Sequence, residues 1–110
     1  MILPYRESSK LKILGQLRGT SGALSWAVAC GRGVITSDAR SFAEEVSHGN
    51  GLIYPQGDVP ALTNALSQLC TNPELASQWA EQAGALGRQR VWSQTAEHFH
   101  RLFQQACEAT

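Results

Sequence analysis

The sequence predicts an α/β domain, a small parallel sheet with flanking helices and a helical C-terminal end. Three observations lead there. The stretch from Gly19 to Asp38 reads as a glycine-rich loop, one helix, a tight turn and the short β-branched strand Val34-Ile35-Thr36. Two other short apolar runs, Met1 to Tyr5 and Leu52 to Tyr54, read as further strands. From Asp58 onward apolar residues recur at helical spacing. Residues 1–57 are thus expected to form the strand, loop, helix and strand core, and residues 58–110 three helices.

Composition bounds the function. A chain of 110 residues with 43% hydrophobic residues has material for one globular domain. Nine basic and nine acidic side chains give a net charge of zero, so electrostatics make no case for nucleic acid or an acidic membrane. No apolar run reaches the roughly 18–20 residues of a membrane span. The opening Met1-Ile2-Leu3-Pro4-Tyr5 lacks the charged-then-apolar order of a signal peptide. Cys30, Cys70 and Cys107 are odd in number and far apart, which argues against a disulfide framework or a zinc site. They read as small buried apolar residues in a reducing cytoplasm. No metal and no cofactor is expected.

In order along the chain, Met1–Tyr5 is assigned to a buried parallel strand closed by Pro4, which cannot donate to a ladder. Arg6, Glu7, Ser8 and Ser9 follow at the strand's C-terminal end, the edge where open α/β sheets bind ligands. Residues 10–18 are basic through Lys10, Lys12 and Arg18 and apolar through Leu11, Ile13, Leu14 and Leu17. They read either as an insertion packing on a neighbour or as a loop bringing cations to a diphosphate. Gly19-Thr20-Ser21-Gly22 is the loop before the first helix, with Thr20 or Ser21 as its N-cap. Leu24, Ala27, Val28 and Cys30 form the face to be buried. Free backbone N–H groups and the helix dipole make such a helix start suited to phosphate.

Gly31 is expected to end that helix in the left-handed region. The strand that follows should close a right-handed crossover. Asp38 either faces the ligand edge or caps a short helix near Ser41–Val46, with the cap favoured. His48-Gly49-Asn50-Gly51 is a turn cluster, and Pro55 ends the next strand. Asp58 caps a helix that opens with Pro60 and buries Ala61, Leu62, Ala65, Leu66, Leu69 and Cys70. Asn72-Pro73 starts the next, with Leu75, Trp79, Ala83 and Leu86 inward. Ser93 is expected to cap the last, with Ala96, Phe99, Leu102, Phe103 and Ala106 inward and Trp92 as a packing anchor.

The order of short motifs resembles a known family. Ala29-Cys30-Gly31-Arg32-Gly33-Val34-Ile35-Thr36-Ser37-Asp38, then Phe42-Ala43-Glu44-Glu45-Val46, His48-Gly49-Asn50-Gly51-Leu52-Ile53-Tyr54-Pro55 and Gly57-Asp58, is similar to the donor-binding half of group 1 nucleotide-sugar glycosyltransferases. These are retaining enzymes of the GT-B architecture, with two Rossmann-like domains. The resemblance runs from about Leu3 to Thr110. It implies a partial Rossmann-like unit from the C-terminal, donor-binding part of such an enzyme, cytoplasmic, with a nucleotide-sugar donor as ligand. It implies also that an N-terminal acceptor domain and the first strands of the donor domain are missing from the chain. A homodimer through the uncovered sheet or helix faces is a further expectation.

The donor-binding residues so implied are Glu7, Gly19, Thr20, Ser21, Gly22 and Ser25; the catalytic residues are unassigned. Glu44 falls at the family's "P-E" glutamate, with Ala43 in place of proline, and reads as structural. The chain departs from the family at two glutamates eight residues apart: Arg18 and Trp26 stand there. The basic residues that complete the family's phosphate site would lie upstream of Met1. A non-catalytic remnant or interaction domain of the same fold is therefore the alternative reading. A dinucleotide-binding domain is disfavoured, since no G-x-G-x-x-G follows a strand.

Overall fold

A computed structural model describes residues 1–7 and 21–109. The described residues form three strands and five helices: β1 Ile2–Leu3, α1 Gly22–Ala29, β2 Val34–Ser37, α2 Phe42–Val46, β3 Gly51–Tyr54, α3 Val59–Thr71, α4 Glu74–Gln89 and α5 Trp92–Glu108. The sheet is parallel with the order β1-β2-β3. Ile35 pairs with Ile2 on one side and Leu52 on the other.

β2 is buried at all four positions because helices cover both its faces. On one face Val34 joins Leu3, Leu24, Ala27, Ala39, Phe42 and Val46, which brings α1 and α2 onto the sheet. On the other, Ile35 meets Tyr54, Ala65 and Trp79 under α3 and α4. This is the α/β, Rossmann-like arrangement the sequence predicts. Thr36 Oγ1 is buried without a hydrogen-bond partner among the described residues. Thr36→Val keeps the shape and removes a desolvated hydroxyl, so it should stabilise the domain by about 1 kcal/mol. Urea unfolding checks this; a loss of stability would mean the hydroxyl has a partner.

Capping follows local chemistry. Ser21 is extended and its Oγ accepts from the Ala23 N–H, opening α1. Gly31, at φ 62°, takes the left-handed turn that ends it. Asp58 Oδ1 accepts from the Ala61 N–H at 3.0 Å and opens α3. α1 crosses α4 closely at Gly87, where a Cβ would lie 2.7 Å from the Val28 carbonyl oxygen. Gly87→Ala should push the two helices apart and cost about 1–3 kcal/mol in thermal or urea unfolding.

Several expectations fail for identifiable reasons. Asp38 does not cap α2; its Oδ1 accepts from the Gln56 N–H at 2.9 Å, because the β3–α3 loop passes directly beside it. α5 starts at Trp92 after an extended Val91, ahead of Ser93. Its apolar face, with Ala96, Phe99, Leu102, Phe103 and Ala106, is exposed, and α5 has no buried residue. Trp92 is 87% exposed and anchors nothing among the described residues. All three cysteines are exposed. Cys30 sits at the C-cap of α1, Cys70 one position beyond the buried stripe of α3, and Cys107 on the uncovered α5.

Candidate functional site

The C-terminal ends of the three parallel strands meet at one edge, next to the start of α1. The segment after β1 supplies Tyr5, Arg6 and Glu7. The β2–α2 loop supplies Asp38, Ala39 and Arg40, and the β3–α3 loop supplies Gln56, Gly57 and Asp58. In an open parallel sheet this is the edge at which ligands bind.

Hydrogen bonds join the three segments in a closed triangle. The Arg40 N–H donates to Glu7 Oε1 at 3.0 Å. The Glu7 N–H donates to Gln56 Oε1 at 2.8 Å. The Gln56 N–H donates to Asp38 Oδ1, closing the third side. Beneath it, Ser37 Oγ donates to the Tyr5 carbonyl at 2.6 Å. Each link is a side chain meeting the backbone of a different segment, so the edge is a preformed platform. The carboxylates of Glu7 and Asp38 each accept one backbone N–H here.

Tyr5 connects the platform to α1. Its hydroxyl and Ser21 Oγ lie 2.9 Å apart, and its ring packs on Phe42 with centroids 5.3 Å apart. The Arg40 guanidinium lies over that ring, 5.1 Å from its centroid. On the opposite face of the sheet, Arg6, Tyr54, Gly57, Asp58 and Leu62 line a small cavity of about 150 Å³. Burial raises the Tyr54 phenol above its ordinary value of 10, so it stays a neutral hydroxyl at physiological pH.

Of the residues predicted to hold a ligand, Ser21 and Gly22 form the start of α1, and Glu7 lies in the adjoining platform. Ser25 sits one turn further along, its hydroxyl donating to the Ser21 carbonyl at 3.3 Å. It borders a wider cavity of about 430 Å³ shared with Gly87, Arg90, Val91 and Trp92. Gly19, Thr20 and the basic segment 10–18 lie outside the described residues. Gly22 is exposed, and a Cβ built on it meets none of the described residues within 4 Å. Packing among the described residues does not require a glycine there.

Sequence reasoning missed Arg40 and Gln56 as parts of this edge. Arg40 is the non-glycine residue with positive φ among the described residues, at 53°. Glu44 stays outside the platform, exposed on α2, while its neighbour Glu45 pairs with Arg90 at 2.6 Å. Among the described residues no cluster of His, Cys, Asp and Glu is placed to hold a metal ion. No helix of the described residues is long and apolar enough to cross a membrane.

The family model for glycosyl transferases group 1 matches residues 22–85, from the start of α1 into α4. Among solved structures, sucrose-phosphate synthase from Thermosynechococcus elongatus is similar at 25% identity with a TM-score of 0.67. The match covers 83% of this chain and 23% of that one. A search of curated proteins gives no significant match.

Proposed function

We propose, from the premise that this chain belongs to the group 1 glycosyl transferases, that it binds the diphosphate of a nucleotide-sugar donor. The donor would sit at the start of α1, in an enzyme of the GT-B type that transfers the sugar to an acceptor. The observation that carries this reading is the open helix start: Gly22 is exposed, with free space at its Cβ among the described residues, at the C-terminal edge of a parallel sheet.

The chemistry fits what such a transfer asks of this half of the enzyme. Negative charge grows on the leaving phosphate as the glycosidic bond breaks. The first turn of a helix presents N–H groups without intrahelical partners, and its dipole favours an anion. Ser21 holds that turn in place through Ala23, and Tyr5 holds Ser21. The platform needs no reorganisation when the donor arrives, which is how fixed donors lower a barrier. The similarity to sucrose-phosphate synthase supports glycosyl transfer as the activity. On this reading the exposed apolar face of α5 contacts an acceptor-binding domain.

One observation favours a non-catalytic module of the same fold. Trp26 is 71% exposed on α1, where the family resemblance places a carboxylate. The two readings share a test in isothermal titration with UDP, GDP and ADP, their sugar conjugates and the matching nucleosides. Saturable binding of a diphosphate, tighter than its nucleoside, is the expected result. A folded chain that binds none of them contradicts the donor-binding reading and leaves the non-catalytic one.

A further inference from the structure

Arg40 has a backbone that arginine rarely adopts. Its φ of 53° places it in the left-handed region, which crowds Cβ against the following carbonyl oxygen. Residues held this way persist when their surroundings impose them, and they gather at functional sites. Here the surroundings are specific. Ala39 before it and Phe42 after it are fully buried, and Glu7 Oε1 accepts its N–H.

The side chain is equally constrained. The guanidinium stacks over Tyr5, whose hydroxyl meets Ser21 Oγ at the cap of α1. One tyrosine ring therefore carries a cation on its face and the helix start at its tip. Among the described residues Arg40 is in no ion pair; those formed join Arg90 to Glu45 and Arg101 to Glu97. Glu7 engages the Arg40 backbone, so it fixes the residue through a neutral group. Arg6, the neighbouring cation at this edge, lies beside Gly57 and Leu62 on the α3 face of the sheet. Among the described residues of this edge, Arg40 is the cation on the α1 face.

We infer that Arg40 contacts the donor's phosphates beside the start of α1, and that Glu7 is a positioning residue that holds Arg40 in its left-handed conformation. This rests on the donor-binding reading above. It supplies the positive charge of the phosphate site from the β2–α2 loop. It also gives Glu7 a role distinct from gripping a sugar hydroxyl.

The test titrates the full chain and its variants with UDP, GDP and ADP and with uridine, guanosine and adenosine, alongside melting temperatures. Arg40→Gly removes the cation and relieves the backbone, since glycine adopts this φ freely. Its melting temperature should be equal or higher, while diphosphate affinity falls roughly ten- to a hundredfold and nucleoside affinity stays unchanged. Arg40→Asn, which also tolerates the left-handed region, should behave alike, and Arg40→Lys should recover part of the loss. Glu7→Gln keeps an oxygen for the Arg40 N–H and should bind as the native chain does; Glu7→Ala should lose affinity.

If Arg40→Gly and Arg40→Asn bind the diphosphate as tightly as the native chain, the assignment of Arg40 falls and the donor-binding reading stands. If Glu7→Gln loses as much as Glu7→Ala, the charge of Glu7 acts directly and its positioning role is overturned. If the native chain binds no nucleoside diphosphate, the donor-binding reading fails and this inference fails with it.

Discussion

Phe42→Ala should cost about 3–5 kcal/mol and leave the domain largely unfolded at moderate temperature. Phe42 is the first residue of α2 and is fully buried. It fills the space between α1, β1 and β2, in one cluster with Leu3, Leu24, Ala27, Val34 and Val46. A domain of this size holds about 5–15 kcal/mol in all, so this one side chain carries a large share. The ring also supports Tyr5, and with it the contact to Ser21 and the stack under Arg40. Urea unfolding followed by far-UV circular dichroism measures the loss. A cost near that of an exposed substitution, below about 0.5 kcal/mol, would mean the α2 layer is not part of the cooperative core.

The second large effect is on binding. Gly22→Asp should weaken diphosphate binding roughly a hundredfold while leaving the fold as stable as before or slightly more stable. The added side chain has free space among the described residues, since none of them lies within 4 Å of its Cβ. A carboxylate in the first turn of a helix is worth about 0.3–1 kcal/mol through the dipole. The same carboxylate stands where the phosphates would lie. At 4 Å and an effective dielectric near 20, two like charges repel by about 4 kcal/mol, and salt reduces this to a loss of roughly a hundredfold. Opposite signs for folding and binding distinguish a ligand site from a packing site. Equal affinity in the variant would place the diphosphate elsewhere.

The sequence made the centre of the domain legible because its signals are local. Val34-Ile35-Thr36 sits between Gly33 and Asp38 and becomes the central strand. Ser21, Gly31 and Asp58 cap or end the helices that periodicity outlines, each through a bond within a few residues. The candidate site was only half legible. The glycine-rich approach to α1 marked Ser21 and Gly22. The triangle of Glu7, Arg40, Gln56 and Asp38 was invisible, since its bonds join residues 18 to 49 positions apart. Asp38 followed a cap pattern that a long-range partner overrode. The exposure of the α5 face is not legible in the sequence, because amphipathic spacing reports which residues share a side, not whether anything covers that side.

The most direct measurement is a two-dimensional amide NMR titration of the ¹⁵N-labelled chain with the nucleoside diphosphate that binds it tightest. The largest shifts should fall on Gly22, Ala23 and Arg40, with smaller ones at Glu7 and Gln56. Shifts confined to the α4–α5 surface around Arg90, Thr95 and Phe99, or no shifts at saturating ligand, would contradict a phosphate site at the start of α1.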